Sequence, residues 1–200
     1  MGEAMKVSQE EFYSATGTYS YLLGMPGVRG KILIDPTEDC IDDYSASLGR
    51  VGRDRVFILE TGSVSTSSRG SEAIARRWRT RRIVPCDWVQ GPDLMGVGHG
   101  DSFCIGGMTV EVLGRVGRLN EAVSYRIADR AFVGDRCAHQ EPELMMLPVE
   151  TQLFRAHSAH GDNRDTLLSA RGVLAVYPRE WKETAIPIGH APSMTAEAGF

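Results

Sequence analysis

No apolar run in this 200-residue chain approaches the roughly 18 residues needed to cross a bilayer. The first residues hold no signal-peptide core, and Lys6 stands where a myristoylation signal wants serine or threonine. No C-x-x-C pair occurs: Cys40, Cys86, Cys104 and Cys137 lie far apart, which suits reduced thiols and not a disulfide framework. Positive charge is not in excess either, since 22 basic side chains face 26 acidic ones for a net −4. A general nucleic-acid binder would carry the opposite balance. The nucleophile-elbow pattern G-x-S-x-G is also missing, which counts against a serine hydrolase. These absences together give the expectation of a cytoplasmic protein with no membrane and no nucleic-acid partner.

What is present is a globular composition, with 42% hydrophobic and 24% charged residues, 22 glycines and 9 prolines. A chain of this length can bury roughly 70% of its unfolded surface, so it needs no disulfide or metal to fold. Residues 19–23 and 31–35 read as strands joined by the turn composition Gly24-Met25-Pro26-Gly27. A helix opens at Pro36 and Thr37, with Glu38 and Asp39 in its first turn, Ile41, Tyr44 and Leu48 at helical spacing, and Gly49 or Gly52 at its end. Next come a strand over 54–59, a hydroxyl-rich loop, a second helix from about Ser71 and a short strand over 82–85. In the second half, strands over 101–105, 108–113, 122–127 and 131–133 are linked by the turns Gly106-Gly107 and Ala128-Asp129. Helices are read over 150–160 and around 165–170, with a last strand over 172–177. Two sheets packed together with helices outside make the fold class α+β. Residues 1–189 read as one domain and residues 190–200, rich in Ala, Pro, Ser and Gly, as a flexible tail.

Particular stretches carry a resemblance. They are Thr18-Tyr19-Ser20-Tyr21-Leu22-Leu23-Gly24, then Ile32-Leu33-Ile34-Asp35-Pro36 with Glu38-Asp39-Cys40, and Leu59-Glu60-Thr61. Val123-Ser124-Tyr125-Arg126, Phe132-Val133-Gly134-Asp135 and Val176-Tyr177-Pro178 complete the series. In this order and spacing, from about residue 12 to residue 182, the chain resembles the metallo-β-lactamase superfamily, nearest its persulfide dioxygenase and glyoxalase II branch. The resemblance implies an αββα four-layer sandwich with a site along one edge, where strand-end loops converge.

The same resemblance marks what is missing. After Glu-Thr the family carries the metal-binding motif H-x-H-x-D-H; here, in gapless register through Gly70, those ligand positions hold Gly62, Val64, Thr66 and Ser67. Arg118 stands where the family has another histidine, and Tyr177-Pro178-Arg179-Glu180 replaces a final Tyr-Pro-Gly-His. Asp135 alone survives of the ligand set, and Arg136 to Gln140 replaces a glutathione-holding Cys-Gly-Arg-Thr-Asp stretch. Zinc needs about four N, S or O ligands, and a 2-His-1-carboxylate iron site needs three. Bound zinc lowers its water's pKa from about 15.7 to about 7, roughly 12 kcal/mol of proton affinity, which no serine or arginine recovers. The expectation is a degenerate metal site, no metal and no other cofactor.

Asp135 is read either as a carboxylate paired with Arg118 or as a general base in the altered pocket. Arg118, Arg179 and Glu180 either form a salt-bridge network or line an anion-binding cleft. Ser63, Thr66 and Ser67, with Ser65 and Ser68, belong to the hydroxyl-rich loop, as helix caps or as an anion seat at a helix N-terminus. The assigned catalytic residues are Asp135, Glu180 and Arg118; the substrate-binding residues are Thr66, Ser67, Ser63, Arg179 and His139. A relocated metal site would draw on Asp135, His139, His157 or His160, and His99 reads as a turn residue. The basic run Arg76 to Arg82 reads first as a solvated face, with an acidic partner or a carrier-protein phosphopantetheine as the sharper option.

Two functions stand level: a metal-independent enzyme of lyase, isomerase or cyclase type, in which Asp135 or Glu180 moves the proton and Arg118 stabilises developing charge, and a pseudo-enzyme scaffold. A metal-dependent, thioesterase-like hydrolase with relocated ligands is the alternative. The expected partner is a small acidic metabolite or an acyl thioester, and a homodimer is left open.

Overall fold

The runs Lys31–Ile34 and Val56–Leu59 are apolar almost throughout, which a strand tolerates where both of its faces are covered. A computed structural model, describing residues 6–49, 55–62, 65–89, 91–114, 122–133, 147–148 and 151–155, places both inside a six-stranded sheet. Its strands lie side by side in chain order: β1 (Ser8–Tyr13), β2 (Tyr19–Gly24), β3 (Lys31–Ile34), β4 (Val56–Leu59), β5 (Arg82–Pro85) and β6 (Leu94–Val97). The first three are antiparallel and β3 to β6 are parallel. A five-stranded sheet comprises β7 (Ser102–Ile105), β8 (Met108–Gly114), β9 (Val123–Ile127), β10 (Arg130–Val133) and β11 (Gln152–Arg155), antiparallel but for the β10–β11 pair.

Period-two alternation assigns each strand residue to one of two cores. Tyr21, Leu23, Ile32, Ile34 and Leu59 join Met108, Val110, Val112, Tyr125 and Phe132 between the sheets. Leu22, Leu33, Val56 and Ile58 join Tyr44 and Leu48 of α1 (Ile41–Leu48) and Ile74 and Trp78 of α2 (Ser65–Trp78). Each such side chain contributes roughly 1.5–3 kcal/mol on full burial. Helices, sheet and sheet are thus three layers of the expected α+β sandwich. The helix read around 165–170, the strand over 172–177 and the tail lie outside the described residues. Among the described residues no helix is long and apolar enough to cross a membrane.

The structure corrects four readings. Residues 152–155, taken as part of a helix, form strand β11 beside β10. Phe154 there stacks on Phe132 at 5.3 Å and meets Tyr21 edge-on at 5.6 Å, so tertiary packing decides the conformation. The helix expected from about Ser71 begins at Ser65, so Thr66 and Ser67 lie in its first turns and not in a loop before it. Strand β1 gives no strand pattern in the sequence because Glu10 and Glu11 interrupt it, a composition that an edge strand tolerates. Strand β6, the other edge, gives no strand pattern in the sequence because it is a four-residue run containing Gly96. Other readings hold: the β2–β3 hairpin, α1 closed by Gly49 at φ 52, and His99 in a turn, its Nδ1 accepting from Gly114 N–H at 3.2 Å.

Helix α2 is held tightly against the chain that follows β3. A Cβ on Gly70 would lie 2.6 Å from Pro36 O and 2.7 Å from Glu38 N and Thr37 Cα. The helix backbone rests directly on the turn Glu38–Cys40, which no larger residue permits. Helix propensity alone favours alanine over glycine by about 1 kcal/mol, whereas overpacking typically costs about 1–3 kcal/mol. Urea unfolding of Gly70→Ala is expected to show net destabilisation of about 1–2 kcal/mol. A neutral or stabilised variant would mean that the close approach does not constrain the helix.

Candidate functional site

Polar residues directly past the carboxyl ends of buried parallel strands are where an α/β sheet presents chemistry. Here those residues are Asp35 after β3 and Glu60 and Thr61 after β4, all buried. Thr61 N–H donates to Asp35 Oδ1 at 2.9 Å, and the Thr61 hydroxyl donates to Asp35 Oδ2 at 2.6 Å. The second sheet reaches the same point. Val123 N–H donates to Thr61 O at 2.9 Å, and the Tyr125 hydroxyl donates to Glu60 O at 2.8 Å. Below, Tyr44 Oη accepts from Thr37 N–H at 3.0 Å and lies 2.7 Å from Ser20 Oγ, fixing the chain just past Asp35. Burial pushes the Tyr44 phenol up to about 12, against the pull of its hydrogen bonds to Ser20 and Thr37. The Tyr125 phenol is likewise raised by burial, and further by Asp35 and Glu60.

Glu60 is the second charged group of this seat. Its Oε1 accepts from Arg82 Nε at 2.7 Å, with the two side chains 1% and 15% exposed. Oε2 is buried and makes no hydrogen bond; nearby Ser71 Oγ draws the carboxyl pKa down slightly without completing one. Burial pushes the carboxyl from its ordinary 4.5 to about 7, opposed by Arg82 and reinforced by Asp35.

The chain leaves the seat at Gly62, buried and at φ 86, in the left-handed region that favours glycine. Gly114, at the end of β8, pairs with Val123 at the start of β9, and Val133 ends β10 on the same edge. Residues 63–64, 115–121 and 134 onward follow from these points. Ser63, Arg118, Asp135, His139, Arg179 and Glu180 lie outside the described residues, as do His157 and His160. Thr66 and Ser67 are placed in α2 by their backbone. Reasoning on types of chemistry singled out none of Asp35, Glu60, Thr61 and Tyr125 as site residues. The signal that finds them is position: polar residues following apolar runs at strand ends. The described residues contain no group of three or more His, Cys, Asp or Glu able to hold a metal ion. A cleft of about 180 Å³ beside Met108 and Ile127 lies at the far ends of β8 and β9 and takes no part in this seat.

The two-sheet arrangement with its site edge is the metallo-β-lactamase fold, and solved structures share it. ETHE1 from Myxococcus xanthus matches with a TM-score of 0.63 at 20% identity, covering 90% of this chain and 96% of that one. A metallo-β-lactamase from Staphylococcus aureus matches with a TM-score of 0.61 at 18% identity, over 76% of this chain and 56% of that one. The Rm3 metallo-β-lactamase matches at 0.52 and 17% identity, over 88% and 91%. No protein-family model and no curated protein matches the sequence. At these identities the likeness establishes the fold, and function has to be argued from the site.

The raised Glu60 carboxyl makes stability depend on pH. The native state holds this proton more tightly than the unfolded chain, so the contribution is complete below about pH 4.5 and lost as pH rises through about 7. The full loss is on the order of 3 kcal/mol. Glu60→Gln keeps an acceptor for Arg82 without the charge, so urea unfolding should show it gaining on the parent between about pH 5 and about pH 8. A constant difference across that range would contradict the buried-carboxyl account.

Proposed function

We propose that the chain is a metal-independent protein on the metallo-β-lactamase fold that binds a small acidic metabolite at the edge built on Asp35, Glu60 and Thr61. The observation that carries this reading is Gly62. It occupies the first position of the family's histidine motif, offers no ligand atom, and has a φ of 86 that a side-chain-bearing residue rarely adopts. Val64, Thr66 and Ser67 at the following positions add no imidazole or carboxylate. The donor set therefore does not fit the metal that the fold commonly carries.

What replaces it is cationic and hydroxylic. Arg118 and Arg179 supply guanidinium groups suited to a carboxylate, and Ser63, Thr66 and Ser67 supply hydroxyls. Asp135 and Glu180 offset part of that charge, which favours a compact anion with a carbonyl or hydroxyl handle over a polyphosphate. In an active enzyme either carboxylate would move the proton while Arg118 stabilises charge developing on the substrate, a contribution of about 10²–10⁴ in rate. His139 is the remaining substrate contact of this reading.

Thermal-shift screening with small carboxylates and acyl thioesters tests it. A ligand at about 100 times its Kd adds about 2.7 kcal/mol, or about 5–10 °C for a protein of this size. The stabilisation should fall away in Arg118→Ala. No stabilisation by any of these compounds, with side chains filling the cleft in a crystal structure, would leave a scaffold without a small-molecule site.

A further inference from the structure

The chain's cations are nearly all arginine: its lysines are Lys6, Lys31 and Lys182, and every basic residue between 32 and 181 other than histidine is arginine. Nine arginines fall between residues 50 and 82. The fold gathers several of them at one corner, away from the strand ends that form the candidate site. Thr80 joins the pieces: its N–H donates to Ala75 O at 3.1 Å and its hydroxyl to Val56 O. Ile58 N–H donates to Arg81 O at 3.3 Å. The end of α2, the turn into β5 and the start of β4 are thereby locked together, with Trp78 buried beneath. Arg55, Arg76, Arg77, Arg79 and Arg81 are exposed around this corner.

Some of this charge is answered locally. Glu72 pairs with Arg76 at 3.1 Å, Asp42 lies 3.8 Å from Arg77, and Arg82 turns inward to Glu60. Among the described residues no ion pair engages Arg55, Arg79 or Arg81. Arg79 is also held at φ 54 just past the helix end, where glycine is the default residue. The helix dipole is already met by Arg76 and Arg77 in the last turn. A charged side chain kept against its backbone preference points to a use outside the helix.

We propose that this corner docks an acidic protein segment, whose carboxylates are taken by the guanidinium forks of Arg55, Arg79 and Arg81. Guanidinium geometry matches a carboxylate in two parallel hydrogen bonds, and fixed elements present these groups. Strand β6 lies next to β5 and exposes Met95, with Val89 packed over the adjoining Gly96 and also exposed. These apolar side chains give a protein segment contacts that a phosphate backbone would not use. Nucleic acid fits less well, because the corner offers few fixed cations on a chain of net charge −4.

Fluorescence anisotropy of a labelled octaglutamate peptide, at about 50 and about 200 mM salt, tests the proposal with the full chain. Saturable binding that weakens with salt is expected, falling about tenfold or more when Arg55, Arg79 and Arg81 are all changed to Gln. Arg79→Gly separates docking from helix capping: it should melt at or above the parent temperature yet bind several-fold more weakly. Absence of saturable binding, or undiminished binding by the triple variant, overturns the proposal. So does an unlabelled DNA duplex that displaces the peptide at lower concentration than unlabelled octaglutamate, which would assign the corner to nucleic acid.

Discussion

The two-pronged hydrogen bond between the Asp35 carboxylate and Thr61 is the constraint on which the candidate edge depends. Asp35 stands at φ 45, a conformation costing on the order of 1–3 kcal/mol for a residue with a side chain. The position is held because Asp35 N–H donates to Leu59 O while its carboxylate takes both donors of Thr61. A buried carboxylate without such donors would be far more costly than the strain. Val123 then binds the carbonyl of the same Thr61, so one residue fastens the two sheets together at the mouth of the site.

That seat is built from the protein's own groups. Asp35, Thr61 and Val123 are joined by hydrogen bonds through Thr61, and the Tyr125 hydroxyl is bound to the Glu60 carbonyl. Gly62, the residue after Thr61, has a φ of 86, and α2 begins at Ser65. Glu60 adds a buried carboxyl near neutrality to the same frame, with Arg82 as its counter-charge.

Much of the frame was legible in the residues. Unbroken apolar runs such as Ile32-Leu33-Ile34 meant strands covered on both faces, and Gly106-Gly107 and Ala128-Asp129 marked tight turns. Local pattern failed where tertiary contacts decide. Phe154 belongs to a strand because Phe132 and Tyr21 receive it, and α2 extends back to Ser65 although its hydroxyl residues are indifferent helix formers. The site divided along the same line. Residue chemistry pointed to Asp135, Arg118 and Glu180, whereas the groups seen to organise the edge are Asp35, Glu60, Thr61 and Tyr125. Their importance comes from hydrogen bonds spanning 26 to 65 residues of sequence, which no local spacing reveals.

Metal content addresses the central claim most directly. Elemental analysis of protein purified without chelators, and again after incubation with zinc or ferrous iron followed by desalting, should find neither metal in stoichiometric amount, because Gly62, Val64, Thr66 and Ser67 provide no ligand set. Melting temperature should be unchanged by a strong chelator. About one zinc or iron per chain, with a melting temperature lowered on chelation, would contradict the account and return the edge to metal chemistry.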